Sequence, residues 1–210
     1  MLLNYDALTN ALVTILVTIS PHSLAPLFLV LTRGMDRKQR NQVAIRSSVI
    51  ATLVLSMFAV FGTSILGLFG ITISAFKLAG GLLLFYIAFE MIFERREQRR
   101  EASAEVAITK DMIQNIAAFP LAVPLIAGPG TISATILLAD KFGPIESRAV
   151  LISVILVSVA ITWSIFMIAE RLDKLLGQTG RSILTRLLGM LLAALAVQFV
   201  FDAIKVLMAH

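Results

Sequence analysis

The chain has 210 residues, 58% of them hydrophobic and 15% charged, with a mean hydropathy of +0.91. A soluble domain carries about a quarter charged residues, so this chain lacks the polar coat that such a domain needs. The net charge of +5 is spread over short loops and forms no basic domain, so no nucleic-acid partner is expected. With no Cys there are no disulfides and no thiolate metal sites.

Backbone groups in hydrocarbon must pair within their own segment, so long apolar runs there are helices. The uncharged run 47–76 exceeds the roughly 20 residues that cross a bilayer. The Leu/Ile/Val/Ala runs do not alternate as barrel strands do. The expected fold is an all-α membrane protein with six transmembrane helices, at 7–31, 47–69, 71–93, 115–139, 149–170 and 186–206.

The first helix has no Lys or Arg before it and too long an apolar run for a cleaved signal. It carries Ser20, Pro21, His22, Ser23 and Pro26. A proline inside a helix removes a hydrogen bond and clashes with the preceding turn, so a break near the membrane midplane is expected. His22 is the one ionisable residue near the centre of a predicted span. An imidazole titrates near neutrality, which makes it a candidate for proton coupling.

Helices 2 and 3 meet at a tight turn on Gly70, leaving no room for an external domain. Lys77 and Glu90 of helix 3 lie roughly 20 Å apart along it, so each is expected to anchor one interface. The polar stretch 94–111 is read as a cytosolic charged linker between two three-helix units, 1–93 and 112–210. Helix 4 holds Pro124 and the run Gly128, Pro129, Gly130, Thr131. Glycine on both sides of a proline frees the chain from helical dihedrals, so a second midplane break is expected. Ser133 and, in helix 6, Gln198 are candidates for lining a cavity.

Arg33, Arg37, Lys38, Arg40 and Arg46 follow helix 1; Arg95, Arg96, Arg99, Arg100 and Lys110 follow helix 3; Arg171, Lys174, Arg181 and Arg186 follow helix 5. The opposite side holds only Lys77, Lys141, Arg148 and Lys205. Cytoplasmic loops collect basic residues, so both termini are expected on the periplasmic or extracellular side.

The two units look alike. Pro21 and Pro26 repeat the spacing of Pro124 and Pro129, and Lys77-Leu-Ala-Gly80 resembles Arg186-Leu-Leu-Gly189. With three helices each, the units must be inverted, a common plan of secondary transporters. Two broken helices would then offer backbone N–H and C=O groups to a ligand. The candidate substrate-binding residues are Ser20, Pro21, Ser23, Pro26, Gly128, Pro129, Gly130 and Thr131. Proline kinks held by neighbouring helices are the competing reading. No P-loop, zinc-hydrolase or nucleophile-elbow motif occurs, so neither enzymatic activity nor a cofactor or metal is expected.

These residues resemble the MarC family of six-span membrane proteins, also classed as neutral amino acid transporters. The resemblance rests on Ser20-Pro21 with Pro26-Leu-Phe28-Leu29, on Pro120-Leu-Ala-Val-Pro124 running to Gly128-Pro-Gly-Thr-Ile132, and on Arg186 to Gly189 with Val197-Gln198-Phe199. Ser20 stands where relatives carry an acidic or amide residue, and Ser23 where Gly is common. The resemblance implies an inner-membrane carrier for small zwitterionic amino acids, partnered by the lipid bilayer and compatible with a homo-oligomer. Efflux of other solutes or drugs, and a non-transporting membrane component, are the alternatives.

Overall fold

The computed structural model describes residues 5–32, 35–93, 95, 116–142 and 145–208, and these are all-helical. Apart from Arg95, the linker expected at 94–111 lies outside the described residues. The first half comprises α1 (Tyr5–Ile19), α2 (Pro21–Leu31), α3 (Arg37–Leu68) and α4 (Ile73–Ile92). The second half opens with an irregular coil, Ala117–Ile126, followed by α5 (Pro129–Phe142), α6 (Ile145–Met167) and α7 (Ala169–Met208). Among the described residues five stretches are long and apolar enough to cross a membrane: Tyr5–Leu31, Arg37–Leu68, Ile73–Ile92, Arg148–Met167 and Thr179–Met208. The coil and α5, bent by 57° where they join, make a sixth when counted as one span.

A helix cap carries α3 beyond its apolar run. α3 begins well before residue 47 because Asp36 and Gln39 form a capping box. The Gln39 N–H donates to Asp36 Oδ1 at 2.8 Å, and the Asp36 N–H donates to Gln39 Oε1 at 2.9 Å. At its far end Gly70 takes a φ of 67°, and the Ile71 N–H closes back on the Leu66 carbonyl at 2.9 Å. Thr72 then caps α4 by accepting from the Ala75 N–H at 3.1 Å. The turn expected at Gly70 is therefore present. The last span starts at Thr179, earlier than expected, after Gly177 interrupts α7 with a φ of 56°.

Span 1 is the interior helix. In its most apolar window 72% of residues are buried, against 28% to 39% for the other four single spans. α5 is enclosed over nearly its whole length, from Gly130 to Ala139. A helix apolar all round belongs in a core, and here α3, α4, α6 and α7 surround α1, α2 and α5.

The most extensive pairing is between α4 and α7, which run antiparallel. Glycines let them close up. A Cβ on Gly81 would lie 2.8 Å from Val200 Cγ2 and 3.0 Å from the Ala196 carbonyl oxygen. One on Gly189 would lie 3.0 Å from Met91 Cβ and 3.1 Å from the Ala88 carbonyl oxygen. α3 is tied at both ends by arginines in the fourth position of α3 and of α6, to α7 at its start and to α6 at its far end. Arg40 pairs with Glu170 across the halves. Arg148 donates to the Val60 carbonyl and, at 3.0 Å, to Thr63 Oγ1.

Of the two interface anchors expected in helix 3, Glu90 is placed otherwise and Lys77 is ion-paired. Lys77 Nζ turns to Asp140 Oδ2 of α5 at 2.8 Å. Glu90 is only 4% exposed, because the close packing of α4 covers it.

Substituting Gly81 by Ala should lower stability by about 1–3 kcal/mol, since its Cβ meets backbone that cannot yield cheaply. A Cβ on Gly67 would find nothing within 4 Å, so Gly67→Ala should be neutral or stabilise by up to about 1 kcal/mol. Unfolding in mixed detergent micelles measures both; equal tolerance at the two sites would contradict this packing.

Candidate functional site

The candidate residues of span 1 gather around one break. Ser20 is buried and takes left-handed dihedrals with φ 54°. Its hydroxyl donates to the Val17 carbonyl at 2.6 Å and lies 3.9 Å from Met91 Sδ of α4. Pro21 restarts the helix at the position where a missing N–H costs nothing. His22 and Ser23 converge on one partner: Thr185 Oγ1 is 3.1 Å from His22 Nε2 and 3.2 Å from Ser23 Oγ. All three are nearly enclosed, at 6%, 4% and 1% exposed for His22, Ser23 and Thr185.

The second interruption precedes α5. Pro120 and Pro124 cannot donate, and Phe119 and Val123 before them are extended; both X–Pro bonds are cis. The coil closes on wide turns instead, with the Leu121 N–H on the Ile116 carbonyl at 3.3 Å and the Ala127 N–H on the Ala122 carbonyl at 2.8 Å. α5 then starts at Pro129, and the N–H groups of Gly128, Gly130 and Thr131 fall in a first turn that has no intrahelical acceptors for them. Gly128, Gly130 and Thr131 are buried, whereas Pro129 is exposed.

One face of α4 lies against both interruptions. A Cβ on Gly130 would run into Ile87 Cδ1 and lie 3.8 Å from Leu84, while Ser20 meets Met91. Ile87 and Met91 are one helical turn apart, roughly 6 Å. Val17 of α1 belongs to the same buried cluster as Ala134 and Leu137 of α5 and Leu84, Ile87 and Met91 of α4, so this α4 face brings the two segments together.

Three expectations need correction. Pro26 lies inside α2, half-buried, and the helix continues through it. The repeated proline spacing does not mark equivalent places: Pro21 and Pro129 each begin a helix, while Pro124 sits in the coil. Gly128 lies in the non-helical link before α5 and Gly130 in its first turn, neither with a positive φ. Their role is to lack a Cβ, since one on Gly128 would lie 2.5 Å from the Pro124 carbonyl oxygen. Gln198 is exposed, donates to Asp202 Oδ1 at 2.7 Å and lines an outer groove with Asp6, Asn10 and Leu195. It faces outward because Ala196 and Phe199 occupy the buried side of α7.

Ser133 is buried one turn into α5, beside Gly80 of α4. Thr185 escapes the sequence reading because it falls one residue before the expected span, between Arg181 and Arg186. Thr135 and Thr18 spend their hydroxyls on carbonyls of their own helices, at 2.8 Å and 2.9 Å, a structural role.

The two glycines should respond differently to alanine. Gly128→Ala drives a methyl into backbone and should cost about 1–3 kcal/mol. Gly130→Ala meets only the end of Ile87, and adding Ile87→Val, which removes that end, should recover most of any loss. Thermal unfolding of the three variants measures this; Gly128→Ala melting with the parent would contradict it.

The chain matches the profile of the MarC family integral membrane proteins over residues 5–208. It is 37% identical over 190 residues to a UPF0056 membrane protein of Methanocaldococcus jannaschii, covering 89% of this chain and 90% of the relative. A UPF0056 membrane protein of Aquifex aeolicus is 33% identical over 203 residues, covering 96% and 94%. The UPF0056 membrane protein YhcE of Escherichia coli is 32% identical over 190 residues, covering 89% and 86%. No solved structure matches the chain. An all-helical, multi-pass architecture and a match along nearly its whole length place this chain in the MarC family of integral membrane proteins.

Proposed function

We propose that the chain is a secondary transporter of small neutral amino acids, working by alternating access, with substrate held between the first turns of α2 and α5. The observation that carries this reading is that both interrupted helices restart with a proline beside one face of α4. Each restart directs the positive end of a short helix toward that region, which favours a carboxylate. His22, Ser23 and Thr185 offer neutral acceptors to an ammonium group. Leu84, Ile87 and Met91 offer a small side chain only apolar contact.

The inverted-repeat arrangement has its own support. Ser20-Pro21 corresponds to Gly128-Pro129, Arg40 to Arg148 and Gly80 to Gly189, at an offset constant to within one residue. Packing corresponds too: α2 lies on α7 as α5 lies on α4, and α1 lies on α6 as the 117–126 coil lies on α3. Matching inverted units around a central site permit rocking between two open states. The cavity of about 580 Å3 bounded by stacked Phe28 and Phe166 and by the Arg40–Glu170 pair is the entrance from the arginine-rich side. That side is cytoplasmic in this reading.

Uptake of labelled glycine and alanine into proteoliposomes tests the proposal, with and without a pH gradient. Saturable flux is expected, and Thr185→Val should lower kcat/KM about ten-fold, the loss of one hydrogen bond. His22→Gln should remove any dependence on the gradient if His22 carries the coupled proton. Absence of flux for every small neutral amino acid, from a protein that melts cooperatively, would overturn the reading.

A further inference from the structure

On the outer face where α3 and α6 lie side by side, two open grooves meet at Trp163. One, of about 510 Å3, is lined by Arg37, Lys38, Asn41 and Met167 besides the tryptophan, and among the described residues no carboxylate lines it. The nearby Asp36 carboxylate is occupied by the Gln39 N–H. The other, of about 430 Å3, is walled chiefly by Ile45, Val49 and Leu53 of α3 and by Leu156 and Ala160 of α6. Positions 38, 41, 45, 49 and 53 recur at three- and four-residue steps, so they form one stripe on α3. The apolar part from Ile45 to Leu53 rises about 12 Å, within the roughly 15 Å depth of one leaflet's hydrocarbon. Trp163 stands at the junction, its Nε1–H donating to Asn41 Oδ1 at 3.3 Å, and an indole belongs at headgroup level.

We propose that this groove binds one anionic phospholipid, its phosphate against Arg37 and Lys38 and an acyl chain along the α3–α6 stripe. The division into a cationic end and an apolar run, with tryptophan between them, has the polarity of a single lipid. A second copy of the chain packed here would bring its own apolar helices against the stripe and leave two cations without a counter-charge. Lipid binding here does not rest on transport, and the groove adjoins the cavity beside the Arg40–Glu170 pair, since Arg37 and Met167 line both.

Native mass spectrometry and thermal unfolding of the purified chain in detergent test this, with added phosphatidylglycerol, phosphatidylcholine of the same chains, or glycerol 3-phosphate. One retained phosphatidylglycerol per chain and a raised unfolding temperature are expected, with neither effect from the other two. Arg37→Ala with Lys38→Ala should weaken binding about 30-fold, while Arg37→Lys with Lys38→Arg keeps it. Ala160→Phe, which fills the apolar groove at the other end, should also lose the lipid; unfolding of each variant without lipid shows whether it is folded. Equal retention of phosphatidylcholine, undiminished binding in the double alanine variant, or stabilisation by glycerol 3-phosphate would overturn the proposal. So would a changed oligomeric state in Ala160→Phe with its lipid count intact.

Discussion

An apolar membrane interior offers no hydrogen bonds to a peptide group, and this one constraint arranges the molecule. A helix interrupted there must be enclosed by protein or must line a cavity. The chain is interrupted at Ser20 and between Ile126 and Pro129, and the helices that restart, α2 and α5, are the ones walled in by the others. Span 1 is accordingly far more buried than the spans around it. The position of each helix in the bundle follows from these backbone breaks.

Enclosure needs close walls, which explains the glycines of α4 and α7. Without Cβ atoms at Gly81 and Gly189 these two helices approach until one meets the other's backbone. That contact fixes the α4 face that carries Leu84, Ile87 and Met91 against both breaks. α3 is held by side chains instead, its Arg40 paired with Glu170 at the start of α7 and its far end reached by Arg148 of α6. The bundle thus has one pair held by shape and one pair tied by side chains. In the proposed transport cycle the tied pair is the frame.

Much of this was legible in the residues. Uncharged runs longer than a bilayer, Gly70 in a tight turn and the proline-bearing segments pointed to helices, their connection and the irregular places. What the residues did not reveal was register. Equal spacing of two proline pairs suggested an alignment that the fold does not use, because only a proline at the first position of a helix marks its restart. Gly128 looked like a source of backbone freedom at the break, and the fold has a further reason for it that the residues did not show: a Cβ there is excluded by the Pro124 carbonyl. Gln198 was misjudged because a Leu-rich helix has no polar pattern to say which side faces inward, and Thr185 was missed because it precedes the apolar run. Thr185 was hidden among arginines, and Gln198 turned outward to Asp202.

The central claim is that the first turns of α2 and α5 share one ligand. The chain has no Cys, so a single cysteine at Ser23 or at Thr131 can be followed by its alkylation rate in membranes while a small neutral amino acid is titrated. The same amino acid should slow alkylation at both positions, with the same half-saturating concentration. Protection at one position alone, or at neither under conditions where flux is measurable, would contradict a shared site.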